Sequence, residues 1–213
     1  MKNALKHGRI QRFINPLLTL SLLTFAAVSA GVHAENWQVN AGHSNISFVS
    51  TKKVDIAEVH RFKQLQGSLS EQGQLALVVD LASVDTGISI RDERMASLLF
   101  EVAKFPKLEL TAQVNPKLID DLPLGATLVT QVAVKIHLHG LEQTKDIDVL
   151  VAKLTPSKLV VTSMKPVIVM ADEFNLGAGV NKLRDIAGLS SSSISMSVPV
   201  SFVLTLSQKV SNK

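Results

Sequence analysis

The feature that constrains this chain most is alternation. From residue 194 to 206 every second residue is apolar: Ile194, Met196, Val198, Val200, Phe202, Leu204 and Leu206, set against Ser195, Ser197, Ser201 and Thr205. A period of two sends alternate side chains to opposite faces of a β-strand. The same spacing recurs in Leu75, Leu77, Val79 and Leu81, in Leu108, Leu110, Ala112 and Val114, in Val132, Val134, Ile136 and Leu138, and in Ile147, Val149 and Val151. Turn-forming clusters at 71–74, 115–124, 140–145 and 155–157 separate these runs. Gly67 predicts a kink or bulge within a strand over 62–69, and Lys165-Pro166 interrupts an apolar stretch over 159–170. About eight strands joined by short turns predict an all-β antiparallel barrel or sandwich. Long one-sided strands favour the closed eight-stranded barrel with an apolar lumen, which either fills with side chains or holds one small ligand.

Two segments break the alternation. Over 84–106 the spacing turns helical: Ile90, Met95, Leu98 and Leu99 share one face, with Arg91, Asp92, Glu93 and Arg94 opposite. Ser89 followed by Asp92 approximates a capping box, and Pro106 ends the segment by biasing Phe105 towards an extended backbone. A helix with one apolar face in a β-protein needs somewhere to bury it, and the segment is expected to cover one end of the barrel. The second segment, 172–189, carries Val180, Leu183 and Ile186 or Ala187 at helical spacing. It reads either as a second cover or as a long surface loop.

Residues 1–34 read as a secretory signal peptide. Lys2, Lys6, Arg9 and Arg12 precede an apolar run over 17–28, which is short for a membrane span, and Val32-His33-Ala34 offers small residues at a cleavage site. The expectation is a single domain over 35–213, periplasmic and without a lipid anchor. Of 22 Lys and Arg, four lie in the leader, so the remainder balances the 18 Asp and Glu. The basic isoelectric point is therefore the leader's, no basic stripe is left, and nucleic acid is not an expected partner. The chain has no cysteine, which excludes disulfides, thiol catalysis and thiolate metal sites.

No catalytic constellation emerges: GxSxG, HExxH, Walker and GxGxxG patterns are absent. His137 and His139 share a strand face that points away from the lumen and read as surface histidines; His43 and His60 are isolated. The run Arg91-Asp92-Glu93-Arg94 is either an anchor for a polar head group at a barrel mouth or a solvated helix face. Neither a catalytic residue nor a metal ligand is expected. The dominant feature is one-sided aliphatic surface, which makes a filled core or a cavity for an apolar ligand.

Several stretches together resemble a known family. Trp37-Gln38-Val39 is followed by His43-Ser44-Asn45-Ile46-Ser47-Phe48, then Phe62 and Gln66-Gly67-Ser68-Leu69. Ser83-Val84-Asp85-Thr86, Arg91-Asp92 and Phe105-Pro106 come next, then His137-Leu138-His139-Gly140-Leu141 and Thr144-Lys145. In order and spacing these are similar to the YceI-like family of exported polyisoprenoid-binding proteins, over most of residues 36–206. The resemblance implies a lipocalin-like eight-stranded antiparallel barrel with a helical insert and a long isoprenoid or similar lipid in the lumen. It implies no catalytic centre and no cofactor beyond a bound isoprenoid or quinone-like lipid. One departure bears on pocket shape and ligand identity: Ala171-Asp172-Glu173-Phe174-Asn175 stands where many members carry an Arg-x-Asp-Phe-Gly-like segment.

The expected function is that of a periplasmic carrier of an isoprenoid or other long-chain amphiphile. Phe48, Phe62, Leu98, Leu99, Phe105 and Phe174 are expected to touch the tail in the lumen, and Arg91 and Arg94 to meet a head group. Transient membrane contact is compatible with that role, and a homodimer is among the assemblies the sequence leaves open. The rival readings are a ligand-free module docking a membrane redox or envelope partner, and a lipid-modifying enzyme.

Overall fold

The structure, a computed structural model, describes residues 37–190 and 193–208. The expected signal peptide lies outside the described residues.

Twelve strands run through the described chain: β1 (Trp37–Val39), β2 (Asn45–Lys52), β3 (Ile56–Phe62), β4 (Leu65–Leu69), β5 (Gln74–Asp80), β6 (Val84–Asp85), β7 (Lys107–Gln113), β8 (Thr127–Leu138), β9 (Leu141–Thr155), β10 (Lys158–Ser163), β11 (Val167–Met170) and β12 (Ser197–Gln208). They make eight staves, because four staves are bent. β1 and β2 lie end to end along one edge of β12, β10 and β11 along its other edge, and β3–β4 and β5–β6 bend in the same way. The ring runs β1–β4–β5–β7–β8–β9–β10–β12 and closes where β12 pairs with β1, Val39 opposite Leu206. Every pairing is antiparallel. The fold is the closed eight-stranded barrel that the alternation predicts. Closure also removes the free edges that an open sheet of this length would expose.

The bends have local causes. Between β1 and β2 a 3₁₀ turn, Ala41–His43, is pinned to β12: the Thr205 hydroxyl donates to the His43 carbonyl (2.8 Å) and the Thr205 N–H to Ser44 Oγ (2.9 Å). Between β3 and β4 the bend falls at Lys63-Gln64, where Ser83 accepts both backbone N–H groups, through its carbonyl and its Oγ, at 3.0 Å each. It does not fall at Gly67. The β4–β5 register runs unbroken through Gly67 opposite Leu77. Glycine is needed there for close approach, since a Cβ would sit 2.8 Å from the Ala76 carbonyl oxygen.

The inward faces are the predicted ones. Val134, Ile136 and Leu138 of β8, Ile147, Val149 and Val151 of β9, and Leu204 and Leu206 of β12 are buried. The β8–β9 hairpin is tighter than expected. His139 and Gly140 form a two-residue turn, both at positive φ (52° and 79°), with Leu138 opposite Leu141. That turn takes His139 off the strand face. His137 stays exposed beside Glu109, but His139 is largely covered outside the lumen, with Nε2 3.1 Å from Glu101 Oε2 and its ring 4.3 Å from that of Phe105. It is not a surface histidine. The stretch expected to be a loop at 115–124 holds a short helix, α2 (Lys117–Asp120). Its Ile119 is buried, and Lys153 Nζ donates to the Ile119 and Asp120 carbonyls at 2.9 and 3.2 Å. Among the described residues no helix is long and apolar enough to cross a membrane.

Candidate functional site

The cover is built from Val84 onward. Asp85 continues the pairing with β3 and accepts from Arg61 Nε (3.1 Å), with Lys63 Nζ at 3.5 Å. Thr86 is a hub. Its N–H (2.9 Å) and hydroxyl (2.5 Å) donate to Asp92 Oδ1, while Arg91 donates to its Oγ1 and its carbonyl at 2.8 Å each. Helix α1 (Ser89–Arg94) therefore starts from a loop closed by Asp92 on Thr86. The expected Ser89–Asp92 box does not form, and the residue before the helix, Ile88, offers no side-chain cap. A wide π-helical turn, Met95–Leu99, follows, with the Phe100 N–H donating to the Met95 carbonyl five residues back (2.9 Å).

Helix α3 (Gly177–Ile186) lies on that turn. The contact is at Gly179, where a Cβ would stand 2.7 Å from Leu99 Cα and 2.8 Å from the Leu98 carbonyl. Val180, Leu183 and Ile186 of this helix line the cavity below. The second irregular segment is thus a second cover and not a plain surface loop.

Under the two covers the barrel holds a cavity of about 550 Å³. Its wall is the aliphatic inward face of the strands with four phenylalanines: Phe48 and Phe62 lie 5.4 Å apart, Phe62 and Phe100 5.9 Å, and Phe202 lines it from β12. Leu118 and Ile119 of α2 line the far end. The lining residues that solvent reaches freely are Ile88, Ile90, Arg94, Ile186 and Ala187, all at the covered end. The mouth is therefore at α1 and α3.

Charged and titratable lining groups gather at that mouth. On β2 the inward face runs Ile46, Phe48, Ser50, Lys52, and on β3 it runs Phe62, His60, Glu58, so one face turns from apolar to polar as it rises. Ser50 Oγ lies 2.8 Å from His60 Nε2, and Glu58 Oε2 accepts from Lys52 Nζ (2.8 Å) and Arg91 Nη1 (2.9 Å). The Lys52 hydrogen bond, with the Arg91 and Lys52 charges, holds the Glu58 carboxyl below its usual range despite the opposing effect of burial. Burial first, then the Arg91 cation, pushes the His60 imidazole below its ordinary value of 6.5, and it is neutral at neutral pH. His60 is buried, and its Nδ1 has no hydrogen-bond partner among the described residues.

The sequence-predicted positions divide. Phe48, Phe62 and Leu99 line the cavity. Leu98 does not: the π-helical turn spreads five residues over the arc that four would occupy, which brings Met95, Leu99 and Phe100 inward and leaves Leu98 beside α3. Phe105 packs outside the lumen, on the His139 ring and against Gly140. Phe174, in the 3₁₀ turn Ala171–Phe174, is 0% exposed but buried in packing off the cavity. Arg91 lines the mouth with its donors committed to Glu58 and Thr86, whereas the Arg94 side chain lines it without an ion pair or hydrogen bond among the described residues. Sequence reasoning passed over Ser50, Lys52 and Glu58 and read His60 as isolated, whereas the structure pairs it with Ser50. The signal was there in the parity of β2, which continues from Ile46 and Phe48 into Ser50 and Lys52. Among the described residues no group of three or more His, Asp or Glu gathers in a way that could hold a metal ion.

The sequence pattern of the YceI-like domain matches residues 37–206. The chain belongs to the YceI-like family. A polyisoprenoid-binding domain from Saccharophagus degradans, implicated in plant cell wall breakdown, is 34% identical, with 82% of this chain and 99% of that one covered and a TM-score of 0.79. BcnA of Burkholderia cenocepacia shares the fold at 21% identity, with 78% and 98% covered and a TM-score of 0.61. A YceI protein of Campylobacter jejuni does so at 12% identity, with 70% and 84% covered and a TM-score of 0.51. No curated protein matches the chain. The YceI-like pattern spans both covers and the Ser50–His60–Glu58–Arg91 corner.

Proposed function

We propose that this YceI-like protein is an exported carrier that holds an isoprenoid or similar long-chain lipid in its barrel. One observation carries the reading: an apolar cavity of about 550 Å³ whose charged and titratable lining groups all lie at its mouth. That volume is within the usual range of small-molecule sites, about 300–1,000 Å³. The arrangement suits an amphiphile lying tail-down, with the tail running towards Ile119 and a polar head at the level of His60, Arg91 and Arg94. Each buried methylene contributes about 0.8 kcal/mol, so a tail of several isoprene units offsets the cost of association. The Saccharophagus domain, named for polyisoprenoid binding, supports the ligand class. The signal-peptide-like pattern of residues 1–34 supports export to the periplasm. A rival interaction module requires a core filled with side chains, and a lipid-modifying enzyme requires converging titratable groups with substrate access; the lumen is hollow, and of the mouth groups Lys52, Glu58 and Arg91 are tied to one another.

The test is titration of delipidated protein with a polyprenol, beside an Ile136→Trp variant that places an indole in the lumen. The carrier reading expects saturable binding, weakened at least roughly tenfold in the variant while its β-sheet circular dichroism is kept, as a well-buried ring displaces several methylenes. Equal binding by both proteins puts the ligand outside the barrel and ends the reading.

A further inference from the structure

At the mouth end of the barrel, the turn 53–55 joins β2 to β3 and projects Val54, 92% exposed, with φ at +77°. A β-branched side chain disfavours that backbone region, which glycine or asparagine usually occupies. Lys53 beside it is also at positive φ, 50°. The fold gains no packing from Val54 in return, and an outlier of this kind points to a role outside the fold.

The turn is continuous with the mouth. The Lys53 N–H donates to the Ser193 carbonyl (2.7 Å) and Lys52 bridges to Ile194, so the tip leans on the segment leading out of α3. Glu58, close behind the tip, is bonded to Arg91 of α1. Ile88, Ile90 and Ile186, each about half exposed, stand around the opening. Exposed aliphatic side chains therefore form a broken ring around the mouth of an apolar lumen, with Val54 the most exposed of them.

We infer that this end is a docking surface for a lipid bilayer, entered by Val54 and seated on Ile88, Ile90 and Ile186. The inference rests on the carrier reading: a long-chain lipid is taken from and returned to a bilayer, and a mouth seated on one spares the tail a passage through water. The charges fit an interfacial position. Among the described residues Lys53 and Arg94 make no ion pair, and long cationic side chains reach to phosphate level while their stems stay in the apolar layer. Asp55, Glu58, Asp92, Glu93 and Asp185 share this end with Lys52, Lys53, Arg91, Arg94, Lys182 and Arg184, so the surplus of positive charge is small. Docking is accordingly driven by apolar insertion more than by charge, and persists when salt screens the cations.

Flotation of the purified protein with phosphatidylethanolamine–phosphatidylglycerol vesicles tests this. Val54→Gly relieves the backbone and touches nothing in the lumen, so folding is not at risk. The expected result is a vesicle partition coefficient roughly tenfold lower for Val54→Gly, as for one aliphatic side chain kept from an apolar layer. Leu154→Ser, an exposed position at the opposite end, is expected to float like the parent. Equal flotation of Val54→Gly and the parent, an equal loss in Leu154→Ser, or a parent that does not float overturns the inference. Lipid content is measured on the same samples. Retained lipid with flotation indifferent to Val54 sinks docking and spares the carrier; flotation that needs Val54 in a protein that holds no lipid does the reverse.

Discussion

Asp92 is the residue on which the cover turns. It accepts two hydrogen bonds from Thr86 and fixes the loop that launches α1. Hydrogen bonds to a charged group are worth about 1.5–3 kcal/mol each, and two are lost, so Asp92→Ala is expected to lower unfolding stability in urea by about 3 kcal/mol, the low end for a site that water partly reaches. Ser89→Ala removes no cap and should cost under ~0.5 kcal/mol; equal losses would restore the capping box that the spacing suggests. From sequence the two acceptor geometries look alike, because Ser89 and Thr86 both precede Asp92 and the path of the chain decides between them. His60 carries a pH prediction. Its folded pKa lies below 6.5, so the unfolded chain binds the proton more readily, and the stability of the neutral ring is complete above 6.5 and declines as the pH falls below it. Glu58, held below 4.5, loses its contribution only in more acidic solution. Thermal unfolding between pH 6.5 and 4.5 should therefore show a decline that His60→Gln flattens. Parallel declines of the two proteins would mean that another group titrates. Neither partner of His60 could be read from its neighbours in the chain, since Ser50 and Arg91 reach it only across the sheet and the cover.

At the scale of elements, the two covers form one unit joined at Gly179. Gly179→Ala drives a methyl into Leu99 Cα and the Leu98 carbonyl, backbone atoms that cannot swing away. Overpacking of this kind costs about 1–3 kcal/mol, which outweighs the roughly 1 kcal/mol that alanine gains over glycine within a helix. Faster amide exchange in α3 and in Met95–Leu99, with the strands β8 and β9 unchanged, is the expected signature; unchanged exchange in α3 would show that the helices do not meet at this point. The π-helical turn also ranks two neighbouring substitutions. Leu99→Asp puts a carboxylate in the lumen, while Leu98→Asp puts one at a half-buried site beside α3. Loss of bound lipid should be greater for Leu99→Asp, and the reverse order would contradict the turn's geometry. A regular wheel drawn on the sequence groups Leu98 with Met95 and Leu99, because a turn widened by one residue leaves no mark in composition. The helical spacing of 172–189, by contrast, was legible, and only the surface it packs on was hidden.

The whole molecule was the most legible scale. Period-two alternation fixes which side of each strand faces inward, and the inward faces of β8, β9 and β12 are those the spacing marks. The bends were not legible. They depend on contacts such as Thr205 with His43 and Ser83 with Lys63 and Gln64, made by residues far apart in the chain. Nor does alternation alone distinguish a filled lumen from a hollow one, because that depends on how the inward volumes add up around a closed ring. The hollow lumen, with its charges at the mouth, is what makes lipid carriage the central claim. Organic extraction of protein purified from its native compartment, followed by mass spectrometry, tests it most directly. The account predicts a stoichiometric long-chain isoprenoid or related lipid, lost from Ile136→Trp. Repeated extracts without such a lipid, from protein that also fails to take up added polyprenol, would contradict it.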